Sequence, residues 1–363
     1  MERVRAVEVS AYTVPTDGPE EDGTMAWHST TMVVVEVTAG DRTGIGYTYG
    51  ATAAAHLVRG ELAEVVVGAD VGRRAGTWNA MRAALRNAGR PGIGMMAVAA
   101  VDVALWDLHA KLLDLPVVDL MGAAHERVPV YGSGGFCNYS LEKLAEQTGG
   151  WAAQGIPRVK IKTSRHPEED PARLDAVRKA IGDDTELFCD ANGALTRKDA
   201  LWWAERFRHE WGVRWFEEPV SSDDLDGLRL LRDQGPAGLD IAAGEYGFIL
   251  SDFRNLVVGG CVDCLQADVT RCGGITGMLL VGGLCAAHQL ELSGHCAPAL
   301  SAHALCGVPL LRHLEYFFDH TRIEAMAFDG TLEPAGGCLE PDRSRPGLGL
   351  ELRRQDMERY RVL

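Results

Sequence analysis

The sequence contains charged side chains whose spacing suits acid–base and metal chemistry. The candidates are Lys160, Lys162, Asp190, Asn192, Glu217, Glu245, Asp268, His295 and Glu315. Each stands at or near the end of a short apolar segment that is typical of a β-strand. The two lysines are two residues apart, as are Asp190 and Asn192, so on a strand each pair projects from one face.

Three acids, Asp190, Glu217 and Glu245, end three consecutive segments and would lie side by side. Carboxylates held close together repel, and alone they would take up protons. A hard divalent cation removes this repulsion, and ligation by oxygen alone favours Mg²⁺ over zinc. In "VRWFEEPV" (213–220), strand alternation turns Glu217 toward the metal and Glu218 outward, where we expect a neighbouring cation to meet it.

A lysine and a histidine would flank this metal. An ammonium group crowded by Mg²⁺ and by a second lysine has a lowered pKa, which would let it act as a base. On the other side, Asp268 ends the segment before the one that carries His295, and it could accept a hydrogen bond that holds the imidazole tautomer. His295 alone would be read as a core histidine, but Asp268 and the lysines together favour an active site.

Eight such segments recur from about residue 128, with helix-like stretches between them. They are 128–134, 158–163, 186–193, 213–219, 240–245, 261–268, 291–298 and 313–317. Strands that alternate with helices predict parallel pairing, and eight units over roughly 200 residues fit a closed, TIM-like (β/α)8 barrel. A doubly wound open sheet is the alternative, but no G-x-G-x-x-G follows the first strand. Catalytic groups of such barrels lie at the C-terminal ends of the strands, where the candidates stand.

A different pattern precedes the barrel and follows it. Three strand-like segments and several helices predict an N-terminal α+β capping domain over residues 1–125, with the barrel at 126–325. The near-unbroken apolarity of residues 94–113 indicates a buried helix. The Gly- and Pro-rich tail, residues 326–363, is expected to pack back on the capping domain.

Specificity should reside in loops over the barrel mouth. The segment "TDGPEEDGTMAWHSTT" (16–31) is Gly-rich and acidic, which predicts a mobile flap whose Trp27 and His28 contact the substrate. The loop after the first barrel strand, "GGFCNYS", could add Asn138 or Tyr139.

Composition excludes several classes of protein. With 46% apolar and 24% charged residues and a formal charge of −15, the chain resembles a soluble globular protein and has no basic patch for nucleic acid or acidic membranes. The N-terminus lacks a signal-peptide pattern, and we find no uninterrupted membrane span. Cys261 and Cys264 form a C-x-x-C, but no second pair stands at zinc-site spacing, so the nine cysteines predict reduced thiols in a cytoplasmic protein.

Seven short motifs together resemble the enolase superfamily, specifically its mandelate racemase branch, over nearly the whole chain. They are "KIK", "DANG", "FEEP", "AAGE", "QADVTRCGGITG", "GHCAP" and "HLEYF", in order and one per strand. The resemblance implies that Asp190, Glu217 and Glu245 bind one Mg²⁺ per active site. It also implies a homo-oligomer, since members of the family are commonly dimers or octamers.

The resemblance further implies roles for the remaining candidates. Lys162 would be one acid–base group, with Lys160 assisting it and touching the substrate carboxylate, and the Asp268–His295 pair would be the other. Removing a proton α to a carboxylate builds an enediolate, which Mg²⁺ and a lysine would stabilise in the transition state.

Two further roles and the reaction also follow from the resemblance. Glu315 would hydrogen-bond the enolate oxygen, and Asn192 would contact a substrate hydroxyl. "GHCAPAL" resembles members that act on sugar acids, so the leading hypothesis is dehydration of an aldonate or aldarate to a 2-keto-3-deoxy acid. A racemase or epimerase acting at C2 is the alternative, and a non-catalytic barrel protein is a third reading. A zinc hydrolase is disfavoured because no His-x-His ends the first strand.

Overall fold

The N-terminal part of the chain forms a three-stranded antiparallel sheet. The structure, a computed structural model, describes residues 2–363. Strands β1 (Ala6–Glu21), β2 (Ala26–Ala39) and β3 (Arg42–Tyr49) pair in chain order. The apolar residues of β2 are buried on both faces, with Val33 and Val35 in the core of the capping domain and Val34 in the core shared with the barrel. The sheet therefore lies between the capping helices and the barrel.

Five helices complete the capping domain. They are α1 (Ala53–Leu57), α2 (Ala63–Val66), α3 (Arg74–Ala84), α4 (Ile93–Leu112) and α5 (Val117–Met121), with a π-helical turn at Val58–Leu62 and a 3₁₀ turn at Val71–Arg73. Helix α4 packs against β3 so closely that a Cβ at Gly44 or Gly46 would collide with its backbone. By length and composition α4 could cross a membrane, but it is mostly buried inside the protein, as the helix of a core is.

Eight parallel strands then close into a barrel. They are β4 (Val128–Gly134), β5 (Arg158–Lys162), β6 (Glu186–Asp190), β7 (Trp215–Glu217), β8 (Asp240–Ala243), β9 (Cys264–Ala267), β10 (Glu291–Gly294) and β11 (Leu311–Phe317). Neighbours in the chain are neighbours in the sheet, and β11 pairs with β4. The predicted closed barrel with a capping domain is confirmed, and the open sheet is excluded.

Helices surround the barrel and apolar side chains fill it. The helices are α6 (Leu141–Ala153), α7 (Asp170–Ile181), α8 (Arg197–Glu210), α9 (Leu225–Gln234), α10 (Leu250–Val258), α11 (Gly274–Ala287), α12 (Pro298–Leu305) and α13 (Phe318–Ala327). Tyr131, Phe188 and Trp215 lie inside the barrel as one aromatic cluster, whereas Phe216, the next residue along β7, packs outward on Phe207 of α8. This alternation sends Glu217 to the inside of the barrel mouth.

The C-terminal tail contacts both parts of the molecule. Its elements are β12 (Phe328–Asp329), β13 (Cys338–Leu339), β14 (Glu351–Leu352), α14 (Arg354–Met357) and a 3₁₀ turn at Glu358–Tyr360. Strand β13 pairs with the barrel strand β4, while β12 pairs with β14. The last residues reach the capping domain, where the Val362 amide donates to the Ala11 carbonyl at 2.8 Å.

The segment predicted as a flap over the barrel mouth does lie there, but most of it is in strands rather than in a loop. Residues 16–31 form the ends of β1 and β2 and the tip between them. The strand pairing shifts register between Pro15 and Glu20, and Gly18 has a φ of +105°. These irregularities interrupt the alternation of side chains from which a strand is recognised in a sequence. The tip packs against the barrel mouth, since a Cβ at Gly23 would collide with the carbonyl of Ala191.

All nine cysteines are free thiols. Eight are buried, and Cys338 is partly exposed. Cys261 precedes β9 and Cys264 begins it, and among the described residues neither belongs to a group that could hold a metal ion. The C-x-x-C is therefore part of the core.

Candidate active site

Three acids converge at the C-terminal end of the barrel. Asp190 and Glu217 are the last residues of β6 and β7 and pair in register, and Glu245 follows β8 after one glycine. Their ligand oxygens lie within 4.8 Å of one another, and all three residues are buried. Parallel strands bring consecutive strand ends together, so this cluster results directly from the barrel topology.

The donor set of this cluster fits a hard divalent cation. Burial raises the pKa of Glu217 to about 8, with Asp190, Glu315 and Glu245 adding to the rise while Lys160 opposes it. The raised pKa shows that the charged form of Glu217 is disfavoured in this buried cluster of carboxylates. A hard cation bound by their oxygens would offset this cost. Mg²⁺ would supply that charge, with Asp190, Glu217 and Glu245 as its protein ligands.

Glu218 does not face outward, and the prediction that a neighbouring cation meets it there is wrong. The residue is 1% exposed, and its Oε1 has no hydrogen-bond partner. Burial raises its pKa well above the usual range, and the neighbouring carboxylates of Glu245, Asp190 and Glu217 raise it further. Strand β7 ends at Glu217, and Glu218 takes a φ of +39°, so strand alternation no longer decides its direction. Glu218 is thus a fourth buried carboxylate beside the cluster.

The two lysines of β5 lie against the acids on one side of the mouth. Lys160 is fully buried and pairs with Glu217, with Glu315 at 2.8 Å and with Asp190 at 3.5 Å. Lys162 Nζ lies 2.5 Å from Asp190 Oδ2. Burial opposes their charged forms, but the carboxylates outweigh burial and raise the pKa of both lysines well above the usual value. This is opposite to the lowered pKa expected for a lysine beside bound Mg²⁺, because here the same carboxylates pair with the ammonium groups.

His295 lies on the other side of the acids and is held by Asp268. Its Nδ1 is 2.8 Å from Asp268 Oδ2, while Asp268 Oδ1 accepts from the amide and hydroxyl of Thr270 at 2.7 Å each. Burial alone would lower the pKa of His295, but Glu245, Glu315 and the bond to Asp268 raise it well above 6.5. A charged ring keeps a proton on Nε2, which lies 3.2 Å from Glu245 and 3.3 Å from Glu315. The pair can therefore give a proton at the barrel mouth and take it back.

Glu315 lies between the lysines and the histidine. Ser133 Oγ donates to its Oε1 at 2.6 Å, and Cys296 Sγ donates to its Oε2 at 3.3 Å. Burial opposes its ionisation, but Lys160 and His295 hold the pKa of Glu315 below its usual range. The side chain is thus a fixed carboxylate.

A cavity of about 400 Å³ lies between the barrel mouth and the β1–β2 hairpin. From the barrel side it is lined by Lys162, Asn192, Glu245, His295 and Glu315, among others. From the capping domain it is lined by Asp22, Met25, Trp27, Ser29, Thr30, Thr31, Tyr49 and Gly50. Lys162, His295 and one acid of the cluster, Glu245, thus face a space in which one small ligand can contact all three.

The residues predicted to bind substrate divide into two groups. Asn192 and Trp27 line the cavity, and Asn192 Oδ1 has no protein partner. His28 is exposed and does not line the cavity, because it alternates with Trp27 along β2. Asn138 instead donates from Nδ2 to the Pro19 carbonyl at 2.7 Å, and Tyr139 packs on Phe136. Neither of these last two lines the cavity, and Asn138 instead fixes the hairpin through its bond to Pro19.

Several residues that line the cavity were missed by the sequence reading. Arg271 Nη1 donates to the carbonyl of Glu245 at 3.1 Å, and its guanidinium lies over the ring of Tyr246. His320 stacks on Tyr49 with ring centroids 3.6 Å apart. Arg271 stands in the same motif as Asp268, three residues later, which was a usable signal. Tyr49 ends a strand of the other domain, and no local pattern connects it with the barrel.

Family models match both parts of the chain. Residues 5–122 match the mandelate racemase / muconate lactonizing enzyme N-terminal domain, and residues 142–356 match the enolase C-terminal domain-like family. The chain belongs to the mandelate racemase branch of the enolase superfamily. The protein is therefore a magnesium-dependent enzyme of this superfamily.

Three similar proteins illustrate the range of the family. The chain is 33% identical to 3,6-anhydro-alpha-L-galactonate cycloisomerase of Streptomyces coelicolor, over 97% of this chain and 98% of that protein. A mandelate racemase/muconate lactonizing enzyme-like protein from Rubrobacter xylanophilus has a structure with a TM-score of 0.98 at 59% identity, covering 99% of this chain and 100% of that one. L-talarate/galactarate dehydratase from Salmonella typhimurium, solved with Mg and L-lyxarohydroxamate, has a TM-score of 0.89 at 27% identity, covering 100% of this chain and 93% of that one.

Proposed function

We propose that this protein dehydrates a sugar acid, removing the proton at C2 and the hydroxyl at C3 to give a 2-keto-3-deoxy acid. The observation that carries the proposal is the arrangement of the cavity wall. Lys162 from β5 and His295 after β10 stand on either side of the acids of β6, β7 and β8, and Lys162, Glu245 and His295 border one cavity. An elimination needs one group to take a proton and another to give one, and the site has both.

The metal site would hold the substrate carboxylate. Asp190, Glu217 and Glu245 would bind Mg²⁺, which supplies positive charge where negative charge develops on that carboxylate. Lys160 is buried beside Glu217 and Glu315, so its ammonium group adds fixed positive charge next to the same place. The site is thus built to stabilise an enediolate.

The two sides of the site then divide the proton transfers. Lys162 borders the cavity from one side and is the candidate to exchange the C2 proton of an acid whose proton faces it. His295 borders the cavity from the other side, and its Nε2, when protonated, is the candidate to donate to the departing C3 oxygen. Asp268 holds the ring in place while its charge changes. After elimination, the enol becomes the 2-keto acid.

A ring-opening reaction is a second candidate, favoured by the cycloisomerase at 33% identity. If the oxygen at C3 belongs to an ether bridge, the same proton removal and the same proton donation would open the ring and release no water. Epimerisation at C2 is the third possibility, because two proton-transfer groups on opposite faces of a carbon can also invert it.

A screen of sugar acids with Mg²⁺ tests the proposal. We expect a 2-keto product, detected with semicarbazide, from at least one aldonate or aldarate, and its loss when EDTA removes the metal. Running the same incubation in D₂O separates the alternatives, because epimerisation gives inversion and exchange at C2 without a keto product. A panel that yields C2 inversion or exchange alone would overturn the dehydratase proposal.

A further inference from the structure

The capping-domain wall of the cavity is poor in positive charge. Of the described residues that line this wall, none is a lysine, an arginine or a histidine, and Asp22 is a carboxylate. The wall is otherwise formed by hydroxyl, aromatic and apolar groups, including Ser29, Thr30, Thr31 and Tyr49. A group that docks here meets a neutral or negative surface.

More carboxylates stand behind this wall. Thr30 Oγ1 donates to Asp319 Oδ2 at 2.5 Å, and Trp27 Nε1 donates to Glu20 Oε2 at 2.9 Å. Both acids are buried, and the cation nearest to Asp319, Arg322, is already bonded to it and to the carbonyl of Pro15. The Thr30 hydroxyl and Trp27 indole protons are thus directed at protein carboxyl groups and are not free for an anion of the ligand.

The cationic side chains on the barrel side already contact carboxylates near the proposed metal site. Arg271 Nη1 donates to the Glu245 carbonyl and lies 3.3 Å from Glu245 Oε1, and its Nε lies 3.5 Å from Asp268. Lys162 pairs with Asp190. These contacts place both charges beside the proposed metal ligands, where the reacting carboxylate belongs.

The cavity also offers neutral hydrogen-bonding atoms that have no protein partner. Tyr49 Oη and Asn192 Oδ1 are buried without a hydrogen bond. The Ala297 amide donates to His320 Nδ1 at 3.3 Å, so this nitrogen is an acceptor and the neutral ring carries its hydrogen on Nε2. Burial lowers the pKa of His320 to about 3, which keeps the ring neutral. A donor and acceptor set of this kind matches sugar hydroxyls.

We infer that the substrate carries one carboxylate, at the reacting end, and a neutral polyhydroxylated tail that binds the capping-domain wall. The class is therefore the aldonates, with their anhydro or deoxy forms, rather than the dicarboxylic aldarates. The inference deepens the proposed function and rests on it, since it assumes that the metal site takes the reacting carboxylate. The second carboxylate of an aldarate would be desolvated against a wall without cations and close to Glu20 and Asp319.

Matched pairs of acids test this. Each pair consists of an aldonate and the aldarate with the same configuration from C2 to C5, assayed with Mg²⁺ for kcat/KM. We expect the aldonate to be preferred by about tenfold or more, the usual scale for an unpaired buried charge. Equal or better turnover of the aldarates would overturn the inference while leaving the dehydratase proposal intact.

A binding measurement separates this inference from the proposed reaction. The His295→Asn variant, loaded with Mg²⁺, is titrated calorimetrically with both members of each pair. Tighter binding of the aldonate supports the inference even if no acid is dehydrated, in which case only the proposed reaction fails. Equal or tighter binding of the aldarate, or no binding of any aldonate, overturns it.

A charge introduced on the wall provides the converse test. Ser29→Arg places a cation on the capping-domain wall, and Ser29→Gln adds a neutral side chain there as the matched control. We expect the arginine variant to shift the aldarate-to-aldonate ratio of kcat/KM by about tenfold toward the aldarate, and the glutamine variant to leave the ratio within about twofold. An unchanged ratio in a folded arginine variant would contradict the position assigned to the substrate tail.

Discussion

The two walls of the cavity are built in different ways. The barrel wall consists of charged groups at strand ends, each fixed by a partner, as in the Asp268–His295 and Lys162–Asp190 pairs. Apart from Asp22, the capping-domain wall consists of neutral residues of the β1–β2 hairpin and of the end of β3, where Tyr49 has no partner for its hydroxyl. The barrel therefore holds the charged groups in place through protein contacts, whereas the capping-domain wall presents polar groups whose hydrogen bonds the substrate would complete. This contrast predicts different kinetic effects for the two walls.

The largest effects should come from the proton-transfer groups of the barrel wall. His295→Asn and Lys162→Ala should each lower kcat by about 10² to 10⁴, the usual worth of a positioned acid or base, and Asp268→Asn should reproduce part of the histidine loss. The exposed His288 supplies a control, since His288→Asn should leave kcat unchanged. Full dehydration by the His295→Asn variant would break the proposed division between the two walls.

The metal cluster should show the next largest effect, on Mg²⁺ affinity. Glu217→Gln should weaken Mg²⁺ binding by about 10- to 100-fold, and Glu218→Gln should weaken it by a smaller but measurable factor, because a bound cation favours the ionised form of Glu218 that burial and the neighbouring carboxylates disfavour. Calorimetric titration with Mg²⁺ measures both. The exposed Glu205→Gln variant is the control for loss of one charge. If Glu218→Gln behaved like Glu205→Gln, its carboxylate would have no electrostatic role at the site.

The hairpin wall should act on KM rather than on kcat. Trp27→Ala removes a ring that lines the cavity and packs on Phe136, so KM should rise by about tenfold with kcat retained within a few-fold. His28→Ala alters the neighbouring side chain on the opposite face of the same strand and should change neither constant. Similar kinetics for the two variants would show that the facing of β2 does not matter for binding.

The smallest effect should be a pH dependence that arises behind the hairpin. Burial and, to a smaller extent, Asp319 raise the pKa of Glu20 to about 8, although Trp27, Arg322 and Lys143 oppose the rise. A raised carboxyl pKa means that the folded hairpin holds the protonated form of Glu20 more tightly than the unfolded chain does. This stabilisation is complete below about pH 4.5 and is lost as the pH rises through about 8.

KM should therefore rise by a few-fold from pH 7 to pH 9 in the wild type and stay flatter in Glu20→Gln. Glu21→Gln changes a partly exposed acid at the same strand end and should keep the wild-type profile. If KM changed with pH in the same way in all three proteins, ionisation of Glu20 would not be the cause of the pH dependence.

The sequence was sufficient to predict the barrel wall because each of its residues can be recognised from the few residues around it. Each catalytic candidate stands at the end of an apolar segment, and parallel closure brings all eight ends together whatever the details of the helices. Asp190, Glu217, His295 and Glu315 could be placed in this way. The reasoning was wrong for Glu218, because it continued the strand alternation one residue beyond the point where β7 ends and φ becomes positive.

The hairpin wall could not be predicted in the same way. Its long strands contain Pro15, Gly18 and Pro19, which are typical of loops, and the register shift beside them decides which side chains face the barrel. Trp27 and His28 were indistinguishable by residue type, yet only Trp27 lines the cavity. Asn138 and Tyr139 lie in the loop after the first barrel strand, where Asn138 bonds to the hairpin that covers that part of the mouth and Tyr139 packs on Phe136.

Exchange of the C2 proton in D₂O tests the central claim most directly, namely that two proton-transfer groups flank one metal-bound carboxylate. ¹H NMR would follow C2 of epimeric sugar acids with Mg²⁺, in the wild type and in the Lys162→Ala and His295→Asn variants. We predict that Lys162→Ala loses exchange for one C2 epimer and that His295→Asn retains that exchange while losing dehydration. Loss of all exchange in both variants alike, or no change in either, would contradict the account.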